Sequence, residues 1–470
     1  GKVVAVSQLQ LAFIVTNVLL GNGLHGDTGL EVALRWCGEA YAPPPRRPQP
    51  EVEEDADPNE TTTSTTVPTT TPGAMLSPLL QGEAPGLHLA HSLLSFLAVL
   101  STELGVATVV TQPGSMLVAA QPGPAMGTPW RRRLGNSTLR RPIVCMEQAE
   151  SCGLNDFMAG GNDFQALTDI AGGTVGGGGR LCSTASTQDE SLVQFYSEVL
   201  AFSFFVSAES RMLMAPMAFL GVRRYVGDLS GQTAEGPPFY GGCGIIKDED
   251  WLNKDIKSNT VGVSLGGRFL SMSPSSFVAV ASSCAACRAT NCTAEDLVNN
   301  RCDAQRDGAD EDIGNWYTAF ESTMYHASVG DAFRTVVKKI GTGPWGAGAW
   351  LGDSQHSFLT VWLATSLLQD VGLDYYVYSN FCENPGNQCL VLEDGACRSC
   401  LSETFRNADG RGPSKASCGR HGLRDVMERL HGGRAASLYQ DLLGVADAPH
   451  SVFSSVLGAA KADAPTAHAE

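Results

Sequence analysis

Residues 168–179 read TDIAGGTVGGGG, and the polar triplet Gln188-Asp189-Glu190 follows after eight intervening residues. The residues before the glycines favour a strand, and the apolar pattern over 188–204 favours a helix. Glycine lets the backbone approach a ligand closely and turn several N–H groups toward one anion. The segment therefore predicts a strand, an anion-binding loop and a helix whose first turn offers a carboxyl group as general acid and base.

The same residues also fit a purely structural interpretation. Thr187 and Glu190 have the spacing of a capping box, in which Thr187 is the N-cap and Glu190 returns to its N–H. Acidic residues such as Asp189 in a first helical turn also complement the helix dipole. Taken alone, this segment leaves capping and catalysis open as alternatives.

A second glycine-rich segment, residues 341–353, reads GTGPWGAGAWLGD and precedes an apolar helical pattern over 353–369. A glycine loop that opens a helix is suited to an anion such as a diphosphate. Trp350 offers a flat apolar face for a base or a ribose. The alternative is that Trp345 and Trp350 belong to the core, with Asp353 as the N-cap of the helix.

The N-terminal 140 residues contain two helical patterns and a linker. The pattern over 7–20 (SQLQLAFIVTNVLL) has Ser7 as a candidate N-cap, and a second pattern covers 87–105. Residues 42–73 are rich in Pro, acidic residues and Thr, and this composition predicts disorder because little apolar area is available for burial.

From about residue 140 the sequence alternates short β-prone runs, at 165–171, 211–220, 276–282 and 375–378, with glycine-rich loops and helical patterns. This alternation is typical of an α/β layered domain. We therefore predict three parts: a helical accessory region over 1–140, an α/β domain over 141–444 and a flexible tail over 445–470.

The two glycine-rich segments together, in this order and separation, resemble the signatures of poly(ADP-ribose) glycohydrolases. The first family signature is a strand of the type V-D-F-A-N, a Gly-Gly-Gly loop and then Gln-Glu-Glu, which residues 168–178 and 188–190 resemble. The second family signature is similar to T-G-N-W-G-C-G-A-F-G-G-D, and residues 342–353 read TGPWGAGAWLGD. Residues 7–20 resemble the accessory helix of that family.

The resemblance implies a macrodomain-like mixed sheet between helices, with an N-terminal helical accessory region. It implies hydrolysis of ribose–ribose O-glycosidic bonds in poly(ADP-ribose), with Glu190 as acid and base and Asp189 orienting the distal ribose. The implied substrate-binding residues are Gln188, Gly176, Gly177, Gly178, Gly346, Gly348, Ala349, Trp350 and the aromatic residues Tyr225 and Tyr378. No metal or cofactor is implied, and the expected protein is a monomer that binds poly(ADP-ribose) or ADP-ribose.

This sequence departs from the family pattern at several positions. Asp189 replaces the first glutamate, Gly172 stands where the family has asparagine, and Pro344 and Leu351 replace asparagine and glycine. A displacement of about 1 Å in a catalytic group can cost about a hundredfold in rate. The departures therefore favour, as the alternative, a catalytically weak or inactive ADP-ribose-binding protein of the same fold.

Composition limits the partners and the compartment. A formal net charge of -17 disfavours direct binding to DNA, and no apolar run reaches the ~18–20 residues that span a membrane. Three N-glycosylation sequons begin at Asn59, Asn136 and Asn291. With 14 cysteines they favour a secreted or lumenal protein over a nuclear or cytoplasmic one.

Two cysteine clusters lie in the C-terminal half. They contain Cys284, Cys287, Cys292, Cys302 and then Cys382, Cys389, Cys397, Cys400, so each includes one C-x-x-C pair. Two such pairs in a reducing compartment would indicate zinc, whereas the sequons favour disulfide bonds. The predicted glycoprotein therefore carries disulfides, with a pairing that spacing does not determine.

Overall fold

The structure is a computed structural model that describes residues 3–19, 96–97, 116–123, 128–146, 164–169, 196, 198–199, 216–223, 260–280, 305–343, 354–377, 421–445 and 452–462. Its strands are β1 (Val3–Ser7), β2 (Met116–Ala120), β3 (Ile143–Met146), β4 (Gln165–Asp169), β5 (Met217–Leu220), β6 (Val261–Leu265), β7 (Arg268–Met272), β8 (Ser276–Ala279), β9 (Lys339–Thr342) and β10 (Gly372–Val377). Its helices are α1 (Gln8–Leu19), α2 (Arg131–Leu134), α3 (Gln305–Phe320), α4 (Ala327–Val336), α5 (Ser354–Leu367), α6 (Leu423–Leu430), α7 (Ala435–Gly444) and α8 (Val452–Ala462).

The described strands form a ten-stranded mixed sheet in the order β3-β10-β9-β4-β8-β5-β2-β7-β6, and β1 pairs with β2 off this path. Five neighbouring strands, from β3 to β8, are parallel to one another, whereas β5 runs antiparallel to β8. Parallel neighbours need long crossover connections, which helices usually provide. The predicted α/β class with a mixed sheet is therefore confirmed.

The central strands are buried on both faces, since every residue of β4, β5 and β8 is buried. On one face, Ala166, Val278 and Ile340 belong to a hydrophobic cluster that also contains residues of α3, α4 and α5. The rings of Phe358 in α5 and Tyr375 in β10 meet edge to face at 4.9 Å. This burial pattern is typical of a parallel sheet covered by helices on both sides.

The other face carries an aromatic cluster around Phe277 of β8. Its ring centroid lies 5.9 Å from that of Phe219 in β5 and 5.9 Å from that of Tyr196. Successive strand residues point to opposite faces, so Phe277 and Val278 pack into different layers. Tyr196 belongs to the pattern for which the sequence predicts a helix, and residues 198–199 are helical. This face is therefore also covered by packed side chains.

Helix α1 confirms the helical pattern predicted over residues 7–20 and its N-cap. The Ser7 Oγ accepts a hydrogen bond from the Gln10 backbone N–H at 3.2 Å, and the Gln10 Oε1 accepts one from the Ser7 N–H at 2.8 Å. This reciprocal pair is a capping box. The helix therefore begins directly at the end of β1 without a connecting loop.

Elements near the two ends of the chain add to what the local patterns predict, while the division of the chain into three parts stays a prediction. The region 1–140 was expected to be helical, but β1 and β2 within it belong to the sheet and pair over their five residues. β1 and β2 lie more than a hundred residues apart in the sequence, so no local pattern could reveal their pairing. The region 445–470 was expected to be a flexible tail, but it contains α8, where Phe453 and Val456 are buried. The helical spacing of Phe453 and Val456 is therefore a better guide to the structure of this segment than its Ala-rich composition.

The boundary at residue 141 stays a prediction, and the linker predicted over 42–73 lies outside the described residues. No helix within the part of the chain that the structure describes combines the length and the hydropathy needed to cross a membrane.

Candidate functional site

The twelve residues that the sequence singles out for a site lie outside the described residues. They are Gln188, Asp189, Glu190, Gly176, Gly177, Gly178, Gly346, Gly348, Ala349, Trp350, Tyr225 and Tyr378. The structure nevertheless describes β4, β5, β9 and β10, the strands that precede these residues in the sequence. The geometry of these strands therefore determines where each segment begins.

Both glycine-rich segments begin at the same edge of the sheet, on neighbouring strands. β4 leads into the first segment and β9 into the second, and the two strands are parallel, with Leu167 opposite Gly341. The last residues of β4 and β9 are Asp169 and Thr342. Neighbouring strands are about 4.8 Å apart, so the two segments start side by side. We call the edge where β4 and β9 end the carboxyl edge and the opposite one the amino edge.

The two predicted aromatic residues follow strands that end at different edges. β10 is parallel to β9, and its last residue Val377 directly precedes Tyr378, so the chain reaches Tyr378 from the carboxyl edge. β5 is antiparallel to β8 and its last residue, Leu220, pairs with Ser276, the first residue of β8. The chain therefore leaves β5 at the amino edge, and Tyr225 comes five residues later.

Asp169 is a residue of the carboxyl edge that sequence analysis did not include among the site residues. It ends β4, its side chain is fully buried, and its carbonyl oxygen accepts a hydrogen bond from the Val280 N–H at 3.1 Å. A buried carboxylate is costly unless other groups compensate its charge. The signal in the sequence was an acidic residue within the β-prone run that precedes the glycines.

A second buried carboxylate, Glu198, lies at the amino edge. Its Oε1 accepts a hydrogen bond from the Gln8 Nε2 at 3.0 Å, and its Oε2 accepts one from the Arg223 backbone N–H at 2.7 Å. Gln8 is the first residue of α1, and Arg223 follows β5. Glu198 is completely buried and links the N-terminal helix to the sheet. Its role is therefore structural, and sequence analysis did not single it out.

Replacement of Glu198 by alanine is expected to lower the free energy of unfolding by about 2–3 kcal/mol, because two donors lose their shared acceptor. Glutamine at the same position keeps one acceptor oxygen, so Glu198→Gln should lose clearly less. Urea denaturation of the full chain measures both values. Equal stability of Glu198→Ala and the wild type would contradict this assignment.

The described part of the chain contains neither a candidate metal site nor either of the two cysteine clusters. No group of three or more His, Cys, Asp or Glu residues that could hold a metal ion occurs there. Both cysteine clusters lie outside the described residues, and only Cys145, in β3, is included. Asn136, which begins the second sequon, is exposed in a turn after α2. The predicted disulfides, glycosylation and secreted or lumenal compartment stay predictions.

Comparison with known proteins assigns this chain to no family. No protein-family profile and no curated protein matches it. Among solved structures, a mutant poly(ADP-ribose) glycohydrolase from Deinococcus radiodurans in complex with ADP-ribose is similar over 55% of this chain and 87% of that chain, with 9% sequence identity and a TM-score of 0.29. A similarity of this size places no functional residue. The class that the described residues define is an α/β protein with a mixed sheet between helices, in which two glycine-rich segments leave neighbouring parallel strands.

Proposed function

We propose that this protein hydrolyses ribose–ribose O-glycosidic bonds in poly(ADP-ribose) and releases ADP-ribose, with Glu190 as general acid and base. The observation that carries this proposal is the parallel pairing of β4 with β9, because both glycine-rich segments then begin at the carboxyl edge. In open α/β sheets, ligands bind beyond the carboxyl ends of the strands. A diphosphate held by one segment would lie beside the ribose held by the other.

A helical continuation from Glu198 would have the length needed for Glu190 to lie at the carboxyl edge. Glu198 lies at the amino edge, where its carboxylate accepts the Arg223 N–H. If the predicted helix over 188–204 is continuous, Glu190 lies about 12 Å from Glu198 along the helix axis. β4 spans about 16 Å between the two edges, since each strand residue rises about 3.3 Å. A helix of this length that ran antiparallel to β4 would be long enough to bring Glu190 close to the carboxyl edge.

The proposed mechanism uses this one carboxyl group twice. The protonated Glu190 gives its proton to the 2′ oxygen of the leaving ribose while the glycosidic bond breaks and an oxocarbenium-like centre forms. The resulting carboxylate then takes a proton from a water molecule, whose oxygen bonds to that centre and releases ADP-ribose. Asp189 would orient the distal ribose, and Gly176–Gly178 and Gly346–Gly348 would donate backbone N–H groups to the ligand.

A second candidate function is ADP-ribose binding without turnover. The sequence favours it at two positions, since Gly172 offers no side-chain amide to the ribose and Asp189 is one methylene shorter than glutamate. In both functions the same carboxyl edge binds the ligand. The difference lies only in whether Glu190 reaches the glycosidic oxygen.

Two measurements on the full chain test the proposal. Incubation with poly(ADP-ribose) should release ADP-ribose, detected by chromatography, and calorimetry should show binding of free ADP-ribose. Binding without release would select the second function and reject hydrolysis. Absence of both would reject the site itself. Adenosine serves as the control ligand, and it should bind more weakly because it lacks the diphosphate.

A further inference from the structure

A buried hydrogen-bonded group crosses three strands directly below the carboxyl edge. The Gln165 Nε2 of β4 donates to the Asp374 Oδ2 at 2.9 Å and to the Tyr376 Oη at 3.1 Å, both in β10. The three residues are between 2% and 3% exposed. We call Gln165, Asp374 and Tyr376 the amide bridge. Because β9 lies between β4 and β10, the bridge spans about 9.6 Å from strand to strand.

The bridge depends on a glycine in the strand that it crosses. A Cβ at Gly341 of β9 would lie 2.8 Å from the Gln165 Cδ, 2.9 Å from its Oε1 and 3.0 Å from its Nε2. The first two distances are shorter than real Cβ contacts and the third is unusually tight, so the amide lies close against the backbone of β9. A Cβ at this position would therefore force the Gln165 amide to shift away from β9.

The negative charge of Asp374 is partly compensated by Lys339, which approaches it from the solvent side. The Lys339 Nζ lies 3.4 Å from the Asp374 Oδ2, and the Lys339 side chain is 43% exposed. The Gln165 Oε1 is buried and has no hydrogen-bond partner within the described part of the chain. A buried acceptor of this kind is costly.

The bridge lies just before the carboxyl edge, where the candidate site begins. Gly341 pairs with Asp374, and Thr342 with Tyr375. Gly343 follows two residues after Gly341, and Tyr376 two residues after Asp374, a rise of about 6.6 Å in each strand. The glycine-rich segment of β9 and Tyr378 of β10 therefore both leave the sheet directly above the bridge.

We propose that Gln165 is a positioning residue for ADP-ribose. Its amide bridge joins β4 to β10 across β9 and so holds the carboxyl ends of these three strands together, at the edge to which the proposed function assigns the ligand. This inference rests on the proposed function, because it assigns a ligand to that edge. Gln165 itself acts through Asp374 and Tyr376 and touches neither the ligand nor the reacting bond.

Hydrogen exchange in the ligand-free chain tests the bridge itself. Gln165→Met keeps the length of the side chain but removes its donor, and exchange of the Thr342, Gly343 and Val377 amides should become about tenfold faster. Val329→Ala, at a fully buried position in α4, is the matched control for a general loss of stability. Equal acceleration in the two variants, or none in Gln165→Met, would overturn the proposal.

A conservative variant separates the hydrogen bond from the charge. Asp374→Asn keeps an oxygen that accepts from the Gln165 amide, so the exchange of the same three amides should stay close to that of the wild type. If Asp374→Asn exchanges as fast as Gln165→Met, the Lys339 ion pair rather than the amide holds the strands, and the assignment to Gln165 is wrong.

Calorimetry with ADP-ribose then links the bridge to the site. The affinity should fall about tenfold in Gln165→Met, since both hydrogen bonds of the amide bridge are lost, and should stay unchanged in Val329→Ala. Unchanged affinity in Gln165→Met overturns the positioning role. A wild-type chain that binds no ADP-ribose rejects the proposed function instead, whereas the exchange comparison still decides whether the bridge holds the two strand ends.

Discussion

Replacement of Glu190 by glutamine is expected to lower the rate of ADP-ribose release from poly(ADP-ribose) by about 10²–10⁴-fold. Glutamine has nearly the same size and can still hydrogen-bond to a ribose, but it can neither give a proton to the leaving oxygen nor take one from water. Binding of ADP-ribose should therefore persist. Initial rates at saturating polymer, together with calorimetry on the same preparation, measure the two quantities separately.

The matched control for this experiment is Glu428→Gln. Glu428 is an exposed glutamate in α6, so its replacement removes the same charge from the surface of the protein. Its rate should equal that of the wild type. If Glu190→Gln and Glu428→Gln release ADP-ribose equally fast, Glu190 caps its predicted helix and the reaction, if present, uses another group.

The largest loss of stability is expected from Phe277→Ala, at about 3–5 kcal/mol. The Phe277 ring is fully buried between Phe219 of β5 and Tyr196, so its removal leaves a cavity on the face that the predicted helix over 188–204 covers. A cavity there should also loosen the attachment of that helix. Urea denaturation monitored by circular dichroism measures the loss.

The chain provides a matched phenylalanine for this substitution. Phe269 of β7 lies in the same sheet but is 82% exposed, so Phe269→Ala removes the same atoms with little loss of buried area. Its expected cost is about 0.5–1 kcal/mol, because the ring still contacts the backbone at Gly262. Similar losses for the two variants would show that Phe277 does not pack as described.

Much of the fold was predictable because its central elements have strong local patterns. The β-prone runs at 165–171 and 276–282 and the apolar helix over 353–369 appear as β4, β8 and α5. Ser7 and Gln10 have the spacing of a capping box, and the structure shows both of its hydrogen bonds. Such signals depend on residues within one turn or one strand, so the sequence contains them completely.

The candidate site was predictable only in part. The sequence indicates two anion-binding segments and a carboxyl group, and its resemblance to a family relates them to one ligand. It missed Asp169 and Glu198, whose importance depends on burial by residues distant in the chain. It also missed Gln165, which looks like an ordinary strand residue until Gly341 and Asp374 are placed beside it.

The sequence by itself determined the alternation of strands and helices, the excess of acidic residues and the presence of two glycine-rich segments about 165 residues apart, between Gly176 and Gly341. Only the tertiary structure decided that β4 and β9 are neighbours, that β1 and β2 join the sheet and that Gln165 reaches β10 across Gly341. The reason is that strand order arises from packing and backbone hydrogen bonds between distant residues, which leave no periodic mark in either strand.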